Sequence, residues 1–233
     1  MKQQDYQQLP LSFAPRERFV FETFTPGSNQ LAINLIREQA MGGGEQQILL
    51  SAARGNGKSH LLQAACNLAS QTGQSVCYLP AAEIITTSAQ VFEGLEQLDL
   101  VCLDDIHLYM QKATWEESLF DLINRMREAG KRLLFASAQP LEAMTINLPD
   151  LRSRLAWGPV FQLLELDDDD KIRALRLRAE QYGLALTENV GRYLLSHYPR
   201  NLFELFERLD DLDRASMAMQ RKLTIPFIKS VLE

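Results

Sequence analysis

Ile48-Leu-Leu-Ser-Ala-Ala-Arg-Gly-Asn-Gly-Lys-Ser-His-Leu-Leu62 is the stretch whose reading decides the fold. It reads as a buried strand, a glycine-containing loop and the first turns of an apolar-faced helix. A phosphate site needs that order. Glycines let backbone N–H groups turn inward around phosphate oxygens, and the helix that follows aims the positive end of its dipole at them. Lys58 is expected to reach the outer phosphates and Ser59 to ligate Mg2+, with Arg54, Gly55, Asn56, Gly57 and His60 completing the candidate nucleotide-binding set. The usual spacing, G-x-x-x-x-G-K-[ST], opens on a glycine, and Ala52 stands in its place here.

A second motif follows in the right order. Leu98-Asp-Leu-Val-Cys-Leu-Asp-Asp-Ile106 is an apolar strand ending in two carboxylates. A strand there delivers Asp104 beside the loop, where it is expected to hold the Mg2+ hydration shell. Asp105 is then placed to orient or activate a water. With carboxylates filling that role, His60 and His107 are read as structural.

Further apolar runs, short enough for buried strands, are Gln47–Ser51, Ser75–Leu79, Leu100–Leu103, Arg132–Ser137 and Val160–Leu164. Their near-continuous hydrophobicity fits a parallel sheet covered on both faces. Between them, Leu61, Leu62, Ala65, Leu68 and Ala69 recur at helical spacing up to Gly73. Thr114 with Glu117 reads as a capping box for a helix presenting Leu119, Leu122, Ile123 and Met126, closed by Gly130. Strands alternating with helices indicate an α/β fold with a five-stranded parallel sheet sandwiched by helices. Strand signals stop after Leu166. Asp167–Asp170 read as the N-terminal cap of a helix over Lys171–Tyr182 rather than a metal site. Helices are expected at Thr187–His197, Leu202–Met219 and Ile225–Leu232. The expected organisation is an extended tail (1–18), an α/β nucleotide-binding domain (19–166) and a small all-helical lid domain (167–233).

Composition narrows the function classes. The 233 residues are 46% hydrophobic and 23% charged, ordinary for a globular chain. No apolar run approaches the ~20 residues that span a bilayer, and Met1–Gln8 lacks the order of a signal peptide, so a cytoplasmic protein without membrane contact is expected. Cys66, Cys77 and Cys102 lie among apolar neighbours at spacings that suggest neither disulfides nor zinc. A net charge of −6 without a basic stripe gives no positive sign of direct DNA binding.

With both motifs in hand, the chain resembles AAA+ ATPases, in the branch of the bacterial initiator DnaA. Phe21-Glu-Thr-Phe24 with Gly27-Ser-Asn-Gln30 is similar to the opening of that family's domain, and this stretch is expected to build the base pocket. Gly57-Lys-Ser-His-Leu-Leu62 and Leu103-Asp-Asp-Ile106 are similar to its two nucleotide motifs, and Leu151-Arg-Ser-Arg-Leu-Ala-Trp-Gly158 to its arginine-finger box. Asp213-Arg-Ala-Ser216 and Gln220-Arg-Lys-Leu-Thr-Ile-Pro-Phe-Ile-Lys229 are closer still to the DnaA-related regulators of initiation. That resemblance implies a chain stopping after the lid, at Glu233, where an initiator would continue into a helix-turn-helix DNA-binding domain. The tail Gln8-Leu-Pro-Leu-Ser-Phe13 resembles a peptide that binds the DNA polymerase III sliding clamp (its β subunit), with Gln8, Leu9, Leu11 and Phe13 as contacts.

The resemblance implies a negative regulator of replication initiation. Arg154 would act as an arginine finger on ATP-loaded DnaA, with Arg152 the rival and Trp157 packing to fix the turn. DNA would be contacted through partners, and self-association as a homodimer or higher is implied. Three positions linked to hydrolysis depart from the family pattern: Ala52, Ala138 (leaving Ser137 as the polar candidate for the γ-phosphate) and Phe203 in the second-sensor helix, where Arg200 is the candidate substitute. A weak or absent ATPase that holds a nucleoside diphosphate, ADP by analogy, is therefore expected. The competing readings are a self-contained AAA+ ATPase or helicase-loader subunit acting on DNA, and a pure clamp adaptor.

Overall fold

In a computed structural model, which describes residues 18–232, the chain forms a five-stranded parallel sheet with helices on both faces, followed by a helical unit. The α/β part runs α1 (Gln30–Ala40), β1 (Gln47–Ser51), α2 (Lys58–Gln71), β2 (Val76–Pro80), α3 (Ala81–Ile84), β3 (Leu100–Asp104), α4 (Ala113–Glu128), β4 (Arg132–Ser137), α5 (Pro149–Leu155) and β5 (Val160–Gln162). The lid comprises α6 (Asp168–Gln181), α7 (Glu188–His197), α8 (Leu202–Met219) and α9 (Ile225–Leu232). Strand order is β2-β3-β4-β1-β5.

Alternation along each strand splits the apolar runs between two cores. Leu49, Val101, Leu103, Leu133 and Phe135 face α4, where they meet Leu119, Leu122, Ile123 and Met126. Ile48, Leu50, Leu100, Cys102, Leu134 and Ala136 face α1 and α2, packing on Ile36, Leu61, Leu62 and Ala65. The central strands are buried throughout. The edges differ from expectation. β5 ends at Gln162 with Val160 39% exposed, because an edge strand is covered on one side only. β2 is displaced by one residue and ends on Pro80, opposite Asp104. The helix α1 carried no expectation. Its apolar face, Ala32, Ile33, Ile36 and Ala40, is interrupted by the buried Gln39, whose amide donates to the Glu45 and Leu133 carbonyls.

The expected Thr114–Glu117 capping box does not form. α4 begins at Ala113 after Lys112, with no side-chain cap, so Thr114 already lies inside the helix. Its neighbour Glu116, 1% exposed, instead accepts from the Gln111, Asn147 and Leu148 N–H groups. Three backbone donors from two loops converge on its carboxylate. In the lid, Asp167 caps α6 by accepting from the Asp170 N–H, as its position before an apolar periodic run predicts. Ile172, Leu175 and Ala179 then pack on Val190, Leu194, Leu205, Leu209 and Phe227 in a core of the lid's own.

Candidate nucleotide site and surface arginine

A cavity of about 800 Å3 lies between the C-terminal edge of the sheet and the lid, within the range of small-molecule sites. After β1 the chain turns through Arg54, Gly55, Asn56 and Gly57 into α2, and all four residues line the cavity together with Lys58, Ser59 and His60. Gly55 and Gly57 have φ of +93° and +82°, a region that disfavours side chains. Both are also crowded. A Cβ on Gly55 would lie 2.9 Å from the Phe203 Cβ, and one on Gly57 would lie 2.5 Å from the Phe24 ring. The loop is thus held between the opening segment of the domain and the first turn of α8. Ala52 is 5% exposed, and only Asp105, Gln111 and Gln220 among the described non-glycine residues have positive φ. The missing first glycine therefore leaves no strain in the loop.

Lys58 is buried, and its ammonium donates to the Ala52 and Ala53 carbonyls at 2.7 and 3.1 Å. Burial lowers its pKa, while Asp105 and Asp104 pull it the other way. β3 ends on Asp104, which is 2% exposed and is not among the residues lining the cavity. One of its oxygens accepts from the Asp105 N–H at 2.9 Å, the other from the Tyr78 hydroxyl at 2.8 Å. Among the described residues no group of three His, Cys, Asp or Glu side chains is arranged to hold a metal by itself. An ion here would complete its shell with ligand oxygens and water.

Asp105 faces the cavity from a left-handed conformation, φ +55°. Burial, and secondly the adjacent Asp104, raise its pKa. His107 lines the same wall with its Nδ1 accepting from the Ala138 N–H at 3.2 Å, so its ring proton sits on Nε2. Burial lowers its pKa. Ser137 is fully buried and accepts from the Gln139 N–H, while Ala138 occupies the wall. The polar candidate left at that strand end is therefore turned away from the cavity. His60 donates from Nε2 to the Val20 carbonyl at 2.9 Å and packs on Phe19 and Phe24, tying the opening segment to α2.

The lid contributes differently from expectation. Arg200 is 63% exposed, pairs with Asp168 at 3.4 Å and lies off the cavity wall. Its candidacy is corrected: the acidic cap of α6 draws it outward. Arg54 stacks on Phe203, 4.2 Å from the ring centroid. The lid cations that do line the cavity are Lys171 and Arg178, two turns apart on α6. Lys171 is 5% exposed and paired with Glu165; Arg178 donates to both Asp210 oxygens at 3.3 Å. Their seven-residue spacing puts them on one side of α6, but nothing local in the sequence turns that side to the cavity. Thr25 also lines the cavity, with a buried hydroxyl that has no hydrogen-bond partner among the described residues.

Arg154 lies elsewhere. Its backbone carbonyl accepts from Gln47 at 2.8 Å, at the opposite end of β1 from the glycine loop. Four residue steps at ~3.3 Å put that anchor about 13 Å from the loop. The guanidinium donates to Asn124 at 2.9 Å and stacks on Trp157, 4.0 Å from the centroid. Trp157 is 38% exposed and carries Arg127 at 3.9 Å as well, so it packs against two cations rather than fixing a turn. Arg152 is committed internally, donating to the Leu141 and Met144 carbonyls at 2.5 and 2.6 Å. The tail positions Gln8, Leu9, Leu11 and Phe13 lie outside the described residues.

Comparison with known proteins matches this geometry to a family. The model of the bacterial DnaA ATPase domain matches residues 16–162, and that of the Hda lid domain matches residues 168–232. Domain III of the Thermotoga maritima replication initiation protein DnaA superposes with a TM-score of 0.81 at 20% identity, over 93% of this chain and 96% of that one. A replication initiator DnaA bound to AMPPCP and single-stranded DNA gives 0.75 at 24% identity, over 89% and 69%. AMPPCP-bound DnaA from Aquifex aeolicus gives 0.73 at 24% identity, over 84% and 65%. At these identities the superpositions establish the fold, and the family matches, which together span nearly all of the described chain, establish the lineage. The chain belongs to the DnaA-related AAA+ family and carries a lid of the Hda type.

Proposed function

We propose that this protein is a negative regulator of replication initiation that supplies Arg154 to the nucleotide site of ATP-loaded DnaA. Family membership and the Hda-type lid support a role in DnaA regulation. The observation that carries the finer reading is the placement of Arg154. Its backbone is anchored at the far end of β1 from the protein's own cavity, so the side chain serves a neighbour better than its own site. Arg152 is unavailable because two backbone carbonyls hold it. Arg154 is held by one amide oxygen and by the rings of Trp157 and Phe120, contacts that a phosphate can replace.

The cavity on this reading holds a nucleoside diphosphate, ADP by analogy with its family. The loop N–H groups and Lys58 take the phosphates, Ser59 and Asp104 face any Mg2+, and the lid closes through Arg178 and Lys171. Ala138 and Phe203 offer nothing to a γ-phosphate, which favours a resident diphosphate over turnover. The Gln8–Phe13 segment docks on the sliding clamp, bringing the protein to DNA through partners in the cytoplasm, and the protein self-associates as a homodimer or higher assembly.

An arginine finger is worth about 10³–10⁵ in rate in other phosphoryl-transfer systems. The test is Arg154→Ala in an assay of DnaA-bound ATP on clamp-loaded DNA. Loss of most of the stimulation is expected, and unchanged hydrolysis would overturn the mechanism. Deleting residues 1–16 should abolish clamp dependence while leaving activity on free DnaA.

A further inference from the structure

The cavity runs along the C-terminal edge of the sheet in the order of the strands. Leu164 and Leu166, beyond β5, stand at one side with Asn29; the glycine loop follows β1; Ala138 follows β4; Asp105 and His107 follow β3. A nucleotide with its base against residues 24–29 and its diphosphate on the loop therefore directs any third phosphate toward the tips of β4 and β3. Ala138 brings no polar side chain to that place, and Ser137 is buried away from it.

His107 stands there instead. It lies on the short helical turn Ile106–Tyr109, which Ile106 and Tyr109 pin into the core. Its Nδ1 accepts the Ala138 N–H at 3.2 Å, so the ring ties the tip of β3 to the tip of β4 and carries its proton on Nε2. The Asp105 carboxylate oxygen is 3.9 Å from Nδ1, beyond hydrogen-bond distance. Nε2 has no hydrogen-bond partner among the described residues, yet it is not one of the enclosed polar atoms. The side chain is only 16% exposed and lines the cavity wall, so the cavity is the open direction for this N–H. Burial lowers the pKa of the ring, which leaves a neutral donor at pH 7.

We propose that His107 is the residue with which this cavity reads a third phosphate: its Nε2–H donates to a terminal phosphoryl oxygen at the tips of β3 and β4, where Ala138 offers no polar group. The inference rests on the reading of the cavity as a nucleotide site and adds to it the contact that separates a triphosphate from a diphosphate. A hydrogen bond to a charged oxygen is worth about 10- to 150-fold in affinity. A diphosphate on the glycine loop stops short of His107, so the gain belongs to the triphosphate. One donor admits that nucleotide without assembling the groups that would turn it over, in keeping with Ala138 and Phe203.

The experiment is calorimetric titration of ADP and of the non-hydrolysable triphosphate AMPPCP into the full chain and into His107→Asn. Asparagine still offers Oδ1 to the Ala138 N–H but has no donor at the position of Nε2. The wild type should bind both nucleotides, and His107→Asn should weaken AMPPCP about tenfold or more while ADP stays within about threefold. Unchanged AMPPCP affinity in the variant, equal weakening of both nucleotides as a purely structural tie would give, or a wild type that binds ADP but not AMPPCP overturns the role of His107 and leaves the nucleotide reading intact. No binding of either nucleotide by the wild type overturns both. If His107→Asn proves insoluble, the His107 Nε2–H resonance of the wild type reads the same contact. A shift with AMPPCP that ADP does not produce supports the proposal, and the same response to both overturns it.

Discussion

Gly55 offers the most direct physical test of how the lid meets the glycine loop. A methyl group there would lie 2.9 Å from the Phe203 Cβ, 3.1 Å from its backbone nitrogen and 3.5 Å from its Cα. None of these atoms is the movable end of a side chain, so the first turn of α8 must retreat or the loop must deform. The backbone also sits at φ +93°, where an L-residue costs about 1–2 kcal/mol. Crowding of this kind adds about 1–3 kcal/mol. Lifting the lid relieves the crowding but not the backbone strain, so about 1–3 kcal/mol of the total appears as lost nucleotide affinity, about 5- to 150-fold. Calorimetric titration of Gly55→Ala with ADP reads it, with circular dichroism to confirm the fold. Truncating Phe203 to alanine keeps both the Cβ and the nitrogen, so Phe203→Ala should not rescue the variant. ADP affinity within about threefold of wild type in Gly55→Ala would refute the reasoning.

Three further outcomes are expected. Glu116→Ala leaves the Gln111, Asn147 and Leu148 N–H groups unpaired at about 1–3 kcal/mol each, so urea unfolding should show a loss of at least about 3 kcal/mol, and a loss below about 1 would contradict the assignment. Because burial raises the Asp105 pKa from 3.8, the folded state binds that proton more tightly than the unfolded chain, and ionisation weakens the fold as pH rises through the raised value. Asp105→Asn, which tolerates the left-handed backbone, should therefore raise Tm at pH 7 and lose that advantage below about pH 4, whereas an advantage independent of pH would contradict the sign. Arg178→Ala should weaken ADP binding about tenfold or more while Arg200→Ala leaves it within about twofold, and the reverse order would restore Arg200 as the lid's nucleotide contact.

The contiguous parts of this protein were legible in its sequence, and the parts assembled by folding back were not. β1 and β4 match their expected bounds because they are central strands, apolar on both faces and flanked by clear turns. The strand, glycine loop and helix of the first motif and the strand that ends on Asp104 were legible because each motif is continuous, although β4 lies between the two strands. β2 and β5 are edge strands with weaker burial, and their bounds drifted accordingly. The Thr114–Glu117 box was a local pattern set too late in the chain, since α4 already begins at Ala113. Arg200 was placed by its motif, but the cap of α6 offered it a closer partner. Lys171 and Arg178 reach the cavity only because the lid folds over it, a relation that local periodicity does not carry. Tyr78 was hidden for the same reason: its partner Asp104 stands on β3, and nothing adjacent in sequence marks it.

The central claim is that Arg154 acts on a partner's nucleotide and not on the protein's own. Single-turnover hydrolysis separates the two most directly: labelled ATP is bound to DnaA beforehand, and the protein is added with its own site filled by unlabelled ADP, on clamp-loaded DNA. The account predicts rapid loss of the DnaA-bound label with wild-type protein, and a rate reduced toward that of DnaA alone with Arg154→Ala, which should still bind ADP normally. Undiminished hydrolysis of the DnaA-bound label by an Arg154→Ala protein that is folded and ADP-loaded would contradict it.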